Sequence, residues 1–279
     1  MTERFESDWL ALREAADAAA RDPTLTEGAA RWLAARRRPI RLVDLGAGAG
    51  NNTAWLAPRL PGPQQWRLVD HDSELLERAT RRGTALRDVD GQRLQLKTWP
   101  GNLAELDAAL PDDTDLATAS ALFDLVSRTW VEALAERCAT IGCAALWTLS
   151  VDGLWHFESE RAGRAENRDD AEMRQLLVAH QRRDKGLGTA LGSDAPGALA
   201  DAFKNRGYAV QSAPSPWRLA PGDPLATSLL DGWRQALLDQ APERHSEIDA
   251  WWRERRRALD RKELTTIVGH TDILAEPPS

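Results

Sequence analysis

Three glycines, spaced two residues apart, follow the first strongly apolar run of the chain. The run is residues 42–45, and the glycines are Gly46, Gly48 and Gly50. Because glycine has no Cβ and adopts positive φ, this spacing is typical of a turn that brings the backbone close to a bound molecule. Asp70 ends a second apolar run, and a carboxylate at that place accepts hydrogen bonds from ribose hydroxyls. Together these features predict a site for a nucleoside-containing cofactor.

The glycine spacing also bears on which cofactor is bound. The dinucleotide fingerprint is G-x-G-x-x-G, whereas position 51 of this chain is Asn. In addition, the first apolar run contains Asp44, just before the glycines. A carboxylate there repels a pyrophosphate and attracts a cationic amine or sulfonium. Both observations favour a cofactor with a positive charge over a dinucleotide.

At these residues the chain resembles the class I S-adenosylmethionine-dependent methyltransferases. The resemblance rests on residues 43–50, 68–72 and 115–122 and covers roughly residues 40–150. It implies an enzyme with S-adenosyl-L-methionine as cofactor, transferring a methyl group to a small-molecule acceptor. In this family an acid commonly receives the adenine amino group after the third strand, where this chain has Asn102. The residues that the resemblance places at the cofactor are Asp44, Gly46, Ala47, Gly48, Gly50, Asn52, Asp70, His71, Asn102, Leu103 and Ser120.

Apolar runs alternate with amphipathic segments through the middle of the chain. The predicted strands are 41–46, 65–71, 93–99, 114–121 and 142–150, and the predicted helices are near 51–59, 73–82, 101–110 and 129–139. Such alternation implies right-handed crossovers and a parallel sheet covered on both faces. The resemblance adds a Rossmann-like, doubly wound, mostly parallel sheet of seven strands with the last strand antiparallel. Further strands are predicted at 208–213 and 264–275.

Helical segments flank the predicted core. Helices are predicted over 7–21 and 24–37, so residues 1–38 are expected to form an N-terminal helical cap. The predicted methyltransferase domain is 39–279, with a core at 39–152. Insertions of about 153–194 and 214–263, the second with helices at 224–240 and 243–262, are expected to cap the substrate cleft. A capped cleft suits a small molecule better than a duplex or a large protein.

Candidate catalytic residues follow the fifth predicted strand, where the substrate is expected. His156, with Asp152 nearby, is predicted to be a general base, since an imidazole that titrates near neutrality takes a proton from a hydroxyl. A hydrogen-bonded loop histidine is an equally good interpretation. His270 and Asp272, in the last predicted strand, are ranked below this pair as an edge of the site or a buried network.

Two further groups bear on the substrate. Arg182, Arg183 and Lys185 form a basic cluster for a carboxylate or phosphate, although an exposed helix end explains them equally well. Tryptophans of the last insertion, such as Trp217 and Trp233, are expected mainly in the core and could line a pocket for a planar substrate. The predicted acceptor is therefore anionic or planar.

Composition narrows the remaining classes. The net charge of −7 over 279 residues argues against nucleic acid as a partner. The two cysteines, Cys138 and Cys143, have no metal-ligand spacing, so no metal is expected. No apolar run approaches about 18 residues and no basic-then-apolar leader is visible, so a soluble cytoplasmic protein, monomer or homodimer, is expected. The alternatives left open are a nicotinamide-dependent oxidoreductase, a non-catalytic S-adenosylmethionine-binding protein, and a methyltransferase acting on RNA or protein.

Overall fold

The structure is a computed structural model that describes residues 2–159, 163–164, 168–183 and 188–278. It begins with two helices, α1 (Thr2–Ala20) and α2 (Pro23–Ala34). The alternating part comprises β1 (Ile40–Leu45), α3 (Asn51–Leu56), β2 (Gln64–Asp70), α4 (Ser73–Gly83), β3 (Gln95–Pro100), α5 (Leu106–Ala109), β4 (Leu116–Ser120), α6 (Arg128–Ile141) and β5 (Ala144–Ser159). The remainder comprises β6 (Gly163–Arg164), α7 (Arg168–Gln181), α8 (Ala195–Lys204), β7 (Ala209–Pro214), β8 (Trp217–Leu219), α9 (Pro224–Gln240), α10 (His245–Asp260) and β9 (Thr265–Glu276).

The strands form one sheet in the order β3-β2-β1-β4-β5-β9-β7. The first five strands in sequence pair in parallel, and β9 runs antiparallel to both β5 and β7. This confirms the predicted Rossmann-like α/β sheet with an antiparallel last strand. Two short strands, β6 and β8, pair with β5 and β9 outside the seven-strand path. They were not predicted, because two or three residues are too few to show a strand periodicity.

Three apolar clusters stabilise the molecule. On one face of the sheet, Val43 and Trp147 pack with α6 and α8; on the other, Leu42 and Leu68 pack with α2 and α4. Successive residues of a strand point to opposite faces of the sheet. Because helices cover both faces, both residues of a pair such as 42–43 are buried. The third cluster joins the far ends of β5 and β9 to α7, α9 and α10. Among the described helices, none is long and apolar enough to cross a membrane.

The structure corrects two predicted elements. The helix predicted near 101–110 is reduced to the single turn of α5, because Asn102 Oδ1 accepts from the backbone N–H of Ala104 and closes a turn instead. The strand predicted to end at residue 150 continues to Ser159, because β5 stays paired with β9 through two register shifts. The strand therefore runs across the predicted core boundary at residue 152 into the first insertion.

Candidate functional site

The backbone of the predicted cofactor turn has a conformation that requires glycine. Gly46, Gly48 and Gly50 have φ of 66°, 51° and 81°, all in the left-handed region. The N–H of Ala47 donates to the carbonyl of Val69 at 2.9 Å, which ties the turn to the end of β2. L-residues with a side chain reach this region only at a cost of about 1–2 kcal/mol each, so three such positions in five residues need glycine.

The three glycines differ in what surrounds them. A methyl group added at Gly46 would lie 3.2 Å from Leu122, and one at Gly50 would lie 3.1 Å from Ala79, so these two glycines allow close packing. A methyl group added at Gly48 would meet no atom within 4 Å. The middle glycine therefore presents bare backbone to open space, as a cradle for a ligand requires.

Asp70 closes β2 beside this cradle. It is 7% exposed, and its Oδ2 accepts from the N–H of Gly48 at 2.8 Å. Its Oδ1 accepts from the N–H of Asp72 at 3.0 Å. An ionised carboxylate has about four acceptor sites, so the two backbone bonds do not exhaust its capacity to accept from a ligand hydroxyl. The turn and the predicted ribose acceptor are thus one hydrogen-bonded unit.

Asp44 is fully buried beneath the turn rather than open to a ligand. Its Oδ1 accepts from Asn52 Nδ2 and its Oδ2 from Thr53 Oγ1, both at 2.8 Å. Loss of hydration raises the pKa of Asp44 from 3.8 to about 6, although the bonds from Asn52 and Thr53 oppose the shift. Asp44 is therefore not exposed for the contact with a cationic amine that the sequence analysis expects, and its carboxylate instead holds Asn52 and Thr53.

Arg21, directly after α1, is a site residue that the sequence analysis missed. It is 5% exposed, and its guanidinium donates to Asn52 Oδ1 at 2.5 Å and to Ser120 Oγ at 3.1 Å. Its Nε has no hydrogen-bond partner among the described residues. A buried unpaired donor costs about 1–3 kcal/mol, which a carboxylate on a ligand would recover. Arg13, on α1 itself, is not available for this role, because it pairs with Asp17 at 2.9 Å.

The other predicted cofactor residues lie at the carboxyl ends of neighbouring strands. Asn102 follows β3, whose end is tied to β2 by the bond from Gly101 N to the Asp70 carbonyl, and Ser120 ends β4. The carbonyl of Leu103 accepts from Trp130 Nε1 at 2.8 Å. His71 is exposed, with Nδ1 3.3 Å from Asp70 Oδ1. The structure thus brings the predicted set to one edge of the sheet.

Helix α1 covers this edge with side chains that are spaced four residues apart along one face of the helix. Trp9 packs in the cluster around the ends of β5 and β9, and Asp17 accepts from Trp217 Nε1 at 3.0 Å. The backbone of α1 is also held from below, since Asn51 donates to the Leu10 carbonyl and Trp55 donates to the Ala18 carbonyl. The predicted N-terminal segment is therefore joined by direct contacts to α3, the helix that follows the glycine turn.

A cavity of about 270 Å³ lies beside the predicted cofactor edge. Its wall includes Ala121, the residue after Ser120, which is held in the left-handed region with φ of 52°. Strained non-glycine backbone of this kind is common at functional sites. The other aromatic and charged side chains of the wall are Trp9, Arg13, Asp124, Trp155, Trp217, Trp233 and His270.

The structure does not bring His156 to this cavity. Trp155 and Phe157 are buried in the third apolar cluster. His156, between them, therefore faces the other side of β5, with Nε2 3.2 Å from Glu158 Oε1. Trp155 forms the cavity wall at this level. Asp152 packs against Gly269 of the neighbouring strand and accepts from the N–H of Leu154. Burial raises the pKa of Asp152.

The basic cluster predicted for an anionic substrate is already engaged where it is described. Arg182 pairs with Asp194 at 2.9 Å, and Arg183 donates to the carbonyl of Asp239. Lys185 lies outside the described residues. A second cavity, of about 260 Å³, borders Arg41 and Arg67 on the face of β1–β3 that the shortened α5 leaves open, away from the cofactor edge. Among the described residues no group of His, Cys, Asp and Glu side chains has the arrangement of a metal site.

Burial of Asp44 predicts a pH dependence of stability. A carboxyl whose pKa is higher in the folded than in the unfolded protein stabilises the fold below its unfolded value, and this contribution is lost as pH rises through the folded value. For Asp44 the loss falls between pH 3.8 and about 6 and amounts to about 3 kcal/mol. We therefore expect Asp44→Asn to gain stability relative to the unmodified protein across this window, measured as the difference in Tm at several pH values. A difference that stays constant from pH 4 to 7.5 would contradict the burial argument.

No protein-family model and no curated protein matches the chain. Solved structures give loose matches. A cyclopropane synthase from Mycobacterium tuberculosis is 11% identical, with 91% of this chain and 83% of that chain covered and a TM-score of 0.47. A phosphoethanolamine N-methyltransferase from Haemonchus contortus, solved with S-adenosylhomocysteine, is 12% identical, with 92% and 53% covered and a TM-score of 0.43, so this chain spans about half its length. A geranyl diphosphate methyltransferase solved with S-adenosylmethionine is 11% identical, with 91% and 85% covered and a TM-score of 0.44. Likenesses at this level do not assign an activity.

Proposed function

We propose that this chain is a methyltransferase that uses S-adenosyl-L-methionine and acts on a small-molecule acceptor by in-line transfer. The observation that carries the proposal is the turn at Gly46–Gly50, whose middle glycine faces open space while its N–H is bonded to Asp70. A bare backbone next to a ribose-binding carboxylate fits an adenosyl group. The unpaired Nε of buried Arg21 fits the carboxylate of a methionine moiety.

Each residue of the site has a distinct task in this proposal. Asp70 accepts from the ribose hydroxyls, and Asn102 accepts from the adenine amino group with an oxygen lone pair left over from its turn. Asp44 holds Asn52, which in turn holds Arg21. When bound, the cofactor supplies a methyl group already activated on a sulfonium.

The remaining work of the chain is to orient the acceptor and to exclude water. The cavity beside Ala121 adjoins the cofactor edge and is covered by Trp9 and Arg13 of α1. Fixing two reactants in line is worth up to about 7–11 kcal/mol of the barrier. The proposal needs no metal and no general base for an amine or carbon acceptor.

Ligand binding tests the cofactor assignment. We expect isothermal titration calorimetry to show that the protein binds S-adenosylhomocysteine and does not bind NADH. We further expect Asp70→Asn to weaken S-adenosylhomocysteine about 10- to 100-fold, because hydrogen bonds to a charged group contribute about 1.5–3 kcal/mol.

Asp72→Asn is the matched control. Asp72 lies two residues away and caps α4 by accepting from the N–H groups of Glu74 and Leu75. Asn caps a helix as well as Asp, so this variant should bind normally. Binding of NADH by the unmodified protein, or equal affinity for S-adenosylhomocysteine in both variants, would sink the proposal.

A further inference from the structure

His270 on β9 lines the cavity, and only one of its two ring nitrogens has a hydrogen-bond partner among the described residues. Its Nδ1 lies 3.1 Å from the carbonyl of Val268, a geometry in which Nδ1 carries the proton and donates it. Nε2 is then a hydrogen-bond acceptor. The ring is buried, and this burial together with nearby Arg13 lowers the pKa of His270 to about 3, so the imidazole is neutral at physiological pH.

Flat aromatic surfaces surround this acceptor. The ring of Trp217 lies 4.9 Å from the ring of His270. Trp155 and Trp233, which also line the cavity, are stacked on each other, with ring centres 4.5 Å apart and planes inclined by 28°. Aliphatic side chains, among them Leu177, and the uncharged polar side chain of Gln181 also line the cavity. Such surfaces favour a planar aromatic ligand, which gains from stacking as well as from burial.

The charges in the wall are already paired. The Arg13 guanidinium makes two hydrogen bonds to Asp17, at 2.9 and 3.2 Å, and Asp17 also accepts from Trp217 Nε1. Asp124 also has an interaction partner. A charged ligand would therefore lose its hydration without gaining an unpaired counter-ion, which is costly. This argues against an anionic acceptor.

We propose that the cavity binds the methyl acceptor as an uncharged aromatic compound of one or two rings with a hydroxyl group that donates to Nε2 of His270. That the ligand is the methyl acceptor rests on the proposed function, whereas the chemistry of the ligand rests on the cavity alone. The volume of about 270 Å³ is near the lower end of the range for small-molecule sites, which limits the number of rings. His270 is the group that selects and positions the hydroxyl.

Four simple probes separate the parts of this proposal. We expect 4-ethylphenol to bind about tenfold more tightly than 1-ethyl-4-fluorobenzene, which has the same shape without a donor. It should also bind more tightly than 4-ethylcyclohexanol, which is not planar, and 4-ethylbenzoate, which is charged. Affinities are measured by calorimetry on the full chain, with and without saturating S-adenosylhomocysteine.

Two variants assign the preference to its residue. His270→Leu should bind the phenol and the fluoro compound equally, whereas His156→Leu should keep the preference, because His156 lies on the other side of β5. If His270→Leu fails to fold, as judged by its thermal transition, the ratio between the two probes in the unmodified protein still decides. Equal affinity for both probes, tighter binding of the benzoate, or a preference retained by folded His270→Leu would overturn the inference. If S-adenosylhomocysteine binds normally while the phenol is not preferred, this inference fails and the proposed function stands. If the phenol is preferred while S-adenosylhomocysteine does not bind, the proposed function fails and the chemistry inferred for the cavity ligand stands.

Discussion

Replacing Gly48 by valine is expected to weaken S-adenosylhomocysteine binding more than about 100-fold. The space in front of Gly48 is open, so a Cβ added there meets no protein atom, and the valine side chain enters the volume where the proposed cofactor would lie closest to the backbone. The φ of 51° adds strain, because a β-branched residue is unfavourable in the left-handed region. Binding and the thermal transition are measured on the same sample.

Gly91 provides the matched control for this experiment. It also has a positive φ, of 79°, and a methyl group added there would also meet no atom within 4 Å, but it lies in an exposed turn before β3. Gly91→Val therefore carries the same backbone strain without reaching the cofactor edge. We expect it to bind normally. If Gly48→Val binds within threefold of the unmodified protein, or if both variants lose binding equally, the cradle is not the cofactor site.

Local patterns were sufficient to predict most of the sheet and several helices. The helix predicted at 224–240 matches α9 because its start is marked by residues with fixed roles: Asp223 accepts from the N–H of Leu225, and Pro224 occupies the first turn, where no donor is needed. The glycine turn was predictable for the same reason, since positive φ restricts the residue type at each position. Signals of this kind depend only on near neighbours in sequence.

The failures involve interactions between distant parts of the chain, in one case together with a local turn. The apolar spacing of Leu103, Leu106 and Leu110 predicts a helix near 101–110. In the structure only Leu106–Ala109 is helical, because Asn102 closes a turn with Ala104 and the Leu103 carbonyl accepts from Trp130 on α6. Tertiary contacts outweigh helix propensity where the segment is short.

The candidate catalytic residues show the same limit. The choice between His156 and His270 depends on which face of β5 and β9 each occupies, and two register shifts in that pair alter the alternation. The first shift, between Trp147 and Ser150, has no signal in the sequence, and the second contains Gly153 with φ of 78°, a glycine that marks a bulge without fixing the register of the pairing. Arg21 was missed because its partners, Asn52 and Ser120, are far away in sequence and are brought to it only by the docking of α1.

Asp170→Ala is expected to destabilise the protein by about 3–5 kcal/mol, the cost of leaving a buried charge without its partner. Asp170 lies on α7 and is fully buried, with Oδ1 accepting from Trp251 Nε1 at 2.8 Å and from Arg255 Nε at 2.9 Å. Both partners lie on α10, so this carboxylate joins the two predicted insertions to each other. The loss should appear as a fall in Tm of roughly 10 °C.

Two comparisons show whether the charge or the packing is responsible. Arg182→Ala removes an exposed ion pair with Asp194 and should change stability by less than about 1 kcal/mol. The double variant Asp170→Leu with Arg255→Met removes both buried charges, so it should recover much of the loss despite the acceptor that Trp251 forfeits. A double variant no more stable than Asp170→Ala would show that packing around α7, and not the unpaired guanidinium, sets the cost.

Because Leu177 of α7 and Trp233 of α9 both line the cavity, the same unpaired charge should also weaken binding of 4-ethylphenol, and the double variant should restore it.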